Sequence, residues 1–368
     1  MLYVLWFLSL LLLLLCHLSS SKSDTVIKGF LVGFSLLVFF IIVGWSSGAY
    51  DIEIGRSRYI NYEYFSSFTE QGYTFLVKKA HQLGLSYRTF AVICAAFEIS
   101  VLVWFFKKNT VDWKMALVLF IYYPFVIYFQ YTRNILAFAF VMIAIDNLLH
   151  KKKRYISKYI ILIMVAMSIH MSATFFLLYL LVCVPDKKKL NKIVVVASVA
   201  LLILGSSINK LYAFVTYYLG DQKTDILTRS TSASGQFGRI FAIVCSICVF
   251  FMLYYRIRRY DKELLNDELS DKMYTINLIS FIFIPMTLYF GIGFARLITL
   301  LLPINYAFLT NKISYFGHKR KKYLYICLFA MLTILLILQF RNVEYRELVL
   351  YPFFEENELI ETINTILF

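Results

Sequence analysis

Apolar runs close to the thickness of a bilayer's hydrocarbon core recur along this chain from one end to the other. Leucine fills every position from Leu10 to Leu15, and Leu31 to Val43 contains only apolar and small residues. About 20 such residues cross roughly 30 Å of hydrocarbon as a helix, and a helix satisfies its own backbone hydrogen bonds where water is absent. The pattern predicts an all-α polytopic membrane protein with about 12 transmembrane helices. The expected spans are 2–18, 26–45, 87–106, 115–130, 133–149, 156–169, 171–184, 193–208, 239–255, 273–290, 294–310 and 323–340. Residues 2–18 lack a basic start and a small-x-small cleavage site, so they read as a span and not as a signal peptide.

Composition agrees. Of 368 residues, 60% are hydrophobic and the mean hydropathy is +0.71, more apolar surface than a soluble domain of this length can bury. The chain reads as one integral membrane domain, 1–368. The net charge of +15 raises nucleic acid as a partner, but no polar stretch interleaves basic and aromatic residues, which sets that class aside. All six cysteines sit in or beside apolar runs. Cys245 and Cys248 form a CxxC, which is either a metal or redox pair or two small packing residues.

Most of the 37 basic residues fall in one set of loops, including Lys107, Lys108, Lys151, Lys152, Lys153, Lys187, Lys188, Lys189, Arg258, Arg259, Arg320 and Lys321. By the positive-inside rule that set is cytoplasmic, and both termini face the opposite side of the plasma (inner) membrane. The outer side then carries two long loops, 46–86 and 209–238, and a tail, 341–368.

The two sides differ chemically. Lysine, a point charge suited to anchoring, dominates the cytoplasmic loops. The outer side places arginines at or near helix ends: Arg56, Arg58, Arg133, Arg239 and Arg296. A guanidinium is a planar fork that holds phosphate by two bonds. Each arginine alone is also explained by snorkelling to lipid headgroups; several at one depth point to a shared anion site. Tyr59, Tyr62, Tyr64, Phe65, Phe68, Tyr73 and Phe75 crowd the first outer loop, and Tyr212, Tyr217 and Tyr218 the second. They suit either an aromatic belt or a platform for sugar rings. The stretch from Thr228 to Gly238 is a candidate lid. Glu70 lies in the first loop with Asp51, Glu53 and Glu63. Glu98 falls mid-span, where an ionisable group raises a functional hypothesis, and Asp146 reads as structural. With no Asp-x-Asp, HExxH or P-loop motif, nothing supports a metal ion, a nucleotide or any cofactor.

Three segments resemble a known family. Arg56-Ser-Arg-Tyr-Ile-Asn-Tyr-Glu-Tyr-Phe65 followed by Glu70-Gln-Gly-Tyr73 is similar to the outer-loop signature of EpsG-like and Wzy-type polysaccharide polymerases. That signature runs Arg, Asp-Tyr with further tyrosines, then Glu-x-Gly-aromatic. Arg133-Asn-Ile-Leu-Ala137 resembles the family's Arg-Gln-x-x-Ala, and Ile169-His-Met-Ser-Ala173 its Ile-His-x-Ser-Ala. Arg296 and Tyr351-Pro-Phe353 are fainter echoes. The chain departs from the pattern at the loop Asp, which is replaced near Arg58, and at Asn134, which stands for Gln.

The resemblance implies a GT-C-like membrane glycosyltransferase that polymerises polyprenyl-pyrophosphate-linked oligosaccharides on the outer face of the membrane. The products would be O-antigen, capsule or exopolysaccharide. Membrane lipid, a chain-length regulator and a flippase are the further partners it suggests. In that scheme Arg133, Arg239 and Arg296 stabilise charge on the departing diphosphate, and His170 takes the acceptor's proton as general base. Glu70 is the alternative base or binds a sugar hydroxyl, and Arg56, Arg58, Tyr73 and Arg239 bind substrate. The residues themselves leave a flippase or transporter and a glycan ligase open.

Overall fold

The structure, a computed structural model, describes residues 2–18, 25–48, 50–64, 70–151, 153–186, 189–204, 268–290, 292–341 and 343–367. Arg239, the 209–238 loop, the 239–255 span, Phe65, Phe68 and the Cys245/Cys248 pair lie outside the described residues. The described chain is helical, and its β-type pairing is a single bridge between Ser46 and Asn357.

It divides into two compact units. The first holds residues 1–174, 306–323 and 340–368, and begins with α1 (Leu2–Leu18), α2 (Thr25–Trp45), α3 (Tyr50–Ile60) and α4 (Gln71–Gln82). It continues with α5 (Tyr87–Asn109), α6 (Trp113–Tyr122), α7 (Phe125–Phe129), α8 (Thr132–Leu149) and α9 (Tyr155–Ile169). The Ser86 side chain accepts the Thr89 N–H and so caps the start of α5, supplying a partner for an amide the helix leaves open. In the packing order, α1 lies on α2 and α6, α2 on α5, α5 on α8, and α8 on α9. Phe39, Phe120, Phe125 and Phe129 fill the centre with tilted and edge-to-face contacts at 4.9–6.2 Å, the geometries the ring quadrupole favours. The Trp6 indole donates to the Ile121 carbonyl at 3.1 Å and the Tyr306 hydroxyl to the Tyr123 carbonyl at 2.7 Å, so polar tips buried among apolar rings keep partners.

The second unit holds residues 175–305 and 324–339. It includes a helix over 189–204, which is α10, then α11 (Glu268–Ser280), α12 (Phe283–Phe290) and α13 (Ile292–Leu300). Asn277 and Asn305 exchange reciprocal amide bonds at 2.9 Å, and the Tyr179 hydroxyl meets the Ser280 hydroxyl at 2.9 Å. Buried polar pairs of this kind join helices where apolar packing gives no advantage over lipid. The chain ends with α14 (Leu302–Ser314), α15 (His318–Arg341), a π-helical turn (Arg346–Leu350), α16 (Tyr351–Glu355) and α17 (Glu358–Leu367).

Four described helices are long and apolar enough to cross a membrane: Val26–Trp45, Tyr87–Asn109, Thr132–Leu149 and His318–Arg341. Shorter apolar helices cover Leu2–Cys16, Trp113–Tyr122, Tyr155–Ile169 and Met171–Cys183. The outward faces of several of these helices, and of α10, are apolar too. Phe30, Ile93, Ile161, Met164, Val196, Ile203 and Ile334 are all exposed, an arrangement that suits hydrocarbon and not water. The protein is an all-α, membrane-embedded chain.

Proline accounts for where the expected spans break. The spans expected over 115–130, 273–290 and 294–310 are each two helices. Pro124 follows the end of α6, Pro285 lies in the first turn of α12, and Pro303 in the first turn of α14. A proline has no N–H to donate and its ring crowds the preceding turn, so it is tolerated at a helix start and not inside one. The 171–184 span is instead a 3₁₀ helix, Met171–Cys183, that stops before Pro185. At ~2.0 Å of rise per residue it covers about 26 Å, against about 20 Å for an α-helix of the same length. The 46–86 stretch, expected as a loop, carries α3 and α4. The tail expected at 341–368 docks on the first unit. Ser47 N–H donates to the Glu356 carbonyl at 2.9 Å, and Asn357 to the Ile41 carbonyl at 3.3 Å.

Candidate functional site

The site is assembled at the end of the first unit where α8 begins and α9 ends, joined by α3 and α4, which pack on those helices. Glu70 immediately precedes α4, and its carboxylate is mostly buried, with 13% side-chain exposure. Arg58 in the last turn of α3 donates to Glu70 Oε2 at 3.2 Å. Arg133 in the first turn of α8 donates to the same oxygen. The Arg133 guanidinium also lies 5.7 Å from the centroid of the buried Tyr73 ring, a cation–π contact.

Two glycines permit this convergence. A Cβ on Gly72 would lie 2.2 Å from Ser168 Oγ and 3.0 Å from the Ser168 backbone carbon, so α4 reaches α9 only because that atom is absent. A Cβ on Gly55 would lie 3.2 Å from the Tyr87 hydroxyl and 3.4 Å from Thr132 Oγ1, so α3 passes close to the start of α8.

Two cations meet one anion here, which leaves an excess positive charge. Burial, and then the neighbouring Arg133 charge, push Arg58 below its ordinary value, while Glu70 opposes both. Arginine stays charged through a shift of this kind. The cluster is therefore a pair of mutually repelling forks held together by one carboxylate, and it favours a further anion.

His170 follows the last residue of α9 and is half-buried. Its Nδ1 accepts the Ser172 N–H at 3.2 Å. The Ser172 hydroxyl in turn donates to Asn134 Oδ1 at 3.1 Å, tying the histidine turn to the residue beside Arg133. With Nδ1 filled by an N–H donor, the neutral ring carries its proton on Nε2.

The remaining candidates lie elsewhere. Arg56 is exposed and pairs with Glu358 at 3.7 Å, not with Glu70. Arg296 lies in α13 of the second unit and is half-buried, and Arg239 is outside the described residues. Tyr59 and Tyr73 are buried, so they line the protein interior and are not an open platform, whereas Tyr64 is 89% exposed. Tyr59 and Tyr62 sandwich His81 at 4.4 and 4.6 Å between ring centroids. Glu98 is 5% exposed, mid-α5, and its Oε1 has no hydrogen-bond partner among the described residues; one carboxyl does not outline a transport path.

Sequence reasoning missed Arg88. It forms a two-pronged ion pair with Glu358, with both contacts at 2.6 Å, and donates to the Gly44 and Ser46 carbonyls at 3.0 Å. The signal that singled out Arg133, an arginine in the first turn of an apolar helix, is present at Arg88 as well. Its partner, Glu358, lies 270 residues away, and no local pattern joins the two.

The far end of the same helices is different. Lys108 at the end of α5 binds the fully buried Asp146 at 2.5 Å, and Asn109 and His150 reach the same carboxylate. Arg133 and Asp146 are separated by about 20 Å of helix. The arginine cluster and the lysine cluster thus occupy opposite ends of α8. Among models of known families, that of the EpsG family matches residues 31–353. No curated protein and no solved structure matches the chain.

Proposed function

The chain belongs to the EpsG family, polysaccharide-polymerase-like membrane proteins, and on that premise we propose that it joins lipid-linked oligosaccharide repeat units by Wzy-type glycosyl transfer. The observation that carries the reading is the convergence of Arg58 and Arg133 on Glu70 Oε2. This is a partly buried, net-positive site at a helix end, built from forks that match phosphate oxygens. The lysine-rich far end of α8 supports an outer-face location for the site under the positive-inside rule, in a plasma membrane, with both termini on that side.

In this mechanism an acceptor sugar hydroxyl attacks the anomeric carbon of a glycan carried on polyprenyl diphosphate. The new C–O bond forms as the bond from that carbon to the diphosphate oxygen breaks. The electron pair moves onto the diphosphate. Arg58 and Arg133 stabilise that developing charge, and Glu70 keeps both forks aimed when no substrate is bound. Preorganised donors of this kind act on the transition state more than on the ground state. His170 donates from Nε2 to a phosphate or sugar oxygen. To serve as a base it would need the opposite tautomer, which sets two hydrogens against each other at Nδ1 and the Ser172 amide. The acceptor's proton is released to solvent. Arg239 and Arg296 remain further candidates for the diphosphate, and Arg56 for the glycan.

The test is the purified protein with a polyprenyl-diphosphate-linked repeat unit, without nucleotide or added metal. A ladder of products that forms roughly ten- to a hundredfold more slowly in Arg133→Ala is the expected result. Repeat units that stay monomeric, but cross liposomes only when the protein is present, would replace polymerisation with transport.

A further inference from the structure

Away from the arginine cluster, α2 and α5 border an open groove of about 580 Å³ near the lysine end of α5. Leu36 of α2 and Ile99, Ser100, Val103, Trp104, Lys107 and Lys108 of α5 line it, with the lysines toward the end of the helix. Ile99, Val103 and Lys107 follow one another at four-residue spacing, so they form one stripe of the helix. The stripe runs about 12 Å from apolar wall to ammonium. Trp104 is exposed along it, as suits a ring at the boundary of hydrocarbon and headgroups.

The two lysines differ in charge balance. Lys108 is neutralised by Asp146 and lies 4.8 Å from the Trp104 ring centroid. Lys107 is exposed, rests 4.9 Å from the Trp113 ring centroid, and has no carboxylate partner among the described residues. A groove with apolar walls on a lipid-facing helix, opening onto a single uncompensated cation, matches an acyl chain joined to a single negative charge.

We infer that this groove is a binding site for one anionic glycerophospholipid, with an acyl chain along Ile99, Val103 and Leu36 and its phosphate on Lys107. A free phosphate satisfies only the lysine, and a zwitterionic lipid brings its phosphate with a compensating cation that the lysine repels. The single unpaired ammonium selects a headgroup with one net negative charge, such as phosphatidylglycerol. The site is separate from the arginine cluster and does not depend on the polymerase reading.

The test is native mass spectrometry of the full chain in mild detergent, titrated with phosphatidylglycerol or phosphatidylcholine. One phosphatidylglycerol per chain is expected to be retained about fivefold better than phosphatidylcholine, the worth of one lysine at an anionic lipid surface. Lys107→Gln, which alters only an exposed side chain, should abolish that preference. Val103→Trp, which fills the groove, should lower retention of both lipids. Lys158→Gln, an exposed lysine on α9, should change nothing. Equal retention of the two lipids, retention indifferent to both groove variants, or displacement by inorganic phosphate would each overturn the assignment.

Discussion

Arg58 and Arg133 reach the site from different helices and bond the same oxygen, Oε2 of Glu70. Removing the carboxylate therefore leaves two partly buried cations facing each other. Charge-assisted bonds contribute about 1.5–3 kcal/mol, so Arg133→Ala should slow polymerisation roughly ten- to a hundredfold. Arg133→Lys should recover only part of the loss, because an ammonium cannot hold two oxygens in a plane. The losses in Glu70→Ala and Arg133→Ala should be strongly sub-additive in the double variant, measured as repeat-unit turnover; additive losses would mean the two residues act independently.

His170 separates two roles by substitution. If Nε2 is a donor, His170→Gln, which places an amide N–H near the same point, should keep a substantial fraction of the rate. His170→Ala should lose most of it. A general base contributes typically 10²–10⁴-fold, and glutamine cannot replace one. Equal inactivity of both variants, with a pH–rate limb near neutrality in the parent that both lack, would return His170 to the role of base.

Gly72 tests whether the approach of α4 to α9 positions the cluster. Gly72→Ala puts a methyl group against the Ser168 backbone carbon, and overpacking of this kind costs about 1–3 kcal/mol. Thermal unfolding should shift down, and activity should fall even though no charged group has changed. Ser168→Ala added to it should recover little, since Ser168 Cβ itself lies 2.9 Å from the added atom. Full recovery would place the clash on the hydroxyl alone.

Attachment of the C-terminal helix should depend on pH through Glu358. The hydrogen bond from Arg88, ahead of the opposing effect of burial, holds this carboxyl below its ordinary value, and the Arg88 and Arg56 charges add to the effect. A depressed carboxyl in the folded state contributes stability above its unfolded pKa of about 4.3, and that contribution is lost as pH falls through the folded value. Protease nicking of residues 358–367 should rise in acid below about pH 4 in the parent. Glu358→Gln should nick more readily near neutrality and show a flatter profile. Identical profiles would mean that packing of α17, and not this ion pair, holds the tail.

The membrane class was legible because it depends on summed apolar length, which any contiguous stretch reports by itself. The individual spans were less legible. Hydropathy averages over a window and ignores the missing N–H of Pro124, Pro285 and Pro303, so single spans were expected where pairs of helices occur. The helices of the first outer stretch were also hidden, because α3 intersperses charged and apolar residues and carries no long apolar run.

The one-dimensional chain determined a helical, membrane-embedded protein, its family motifs, and the unusual residues Glu70, Arg58, Arg133 and His170. Each of these follows from local spacing or composition. Only the tertiary structure decided that Arg56 goes to Glu358 and Arg58 to Glu70, although they sit two positions apart on one helix. It also decided that Arg88 clasps the tail and that the lone pair of His170 Nδ1 is occupied. Ion pairing and tautomer choice depend on which groups arrive within about 3 Å of each other, and that is set by the packing of helices distant in sequence.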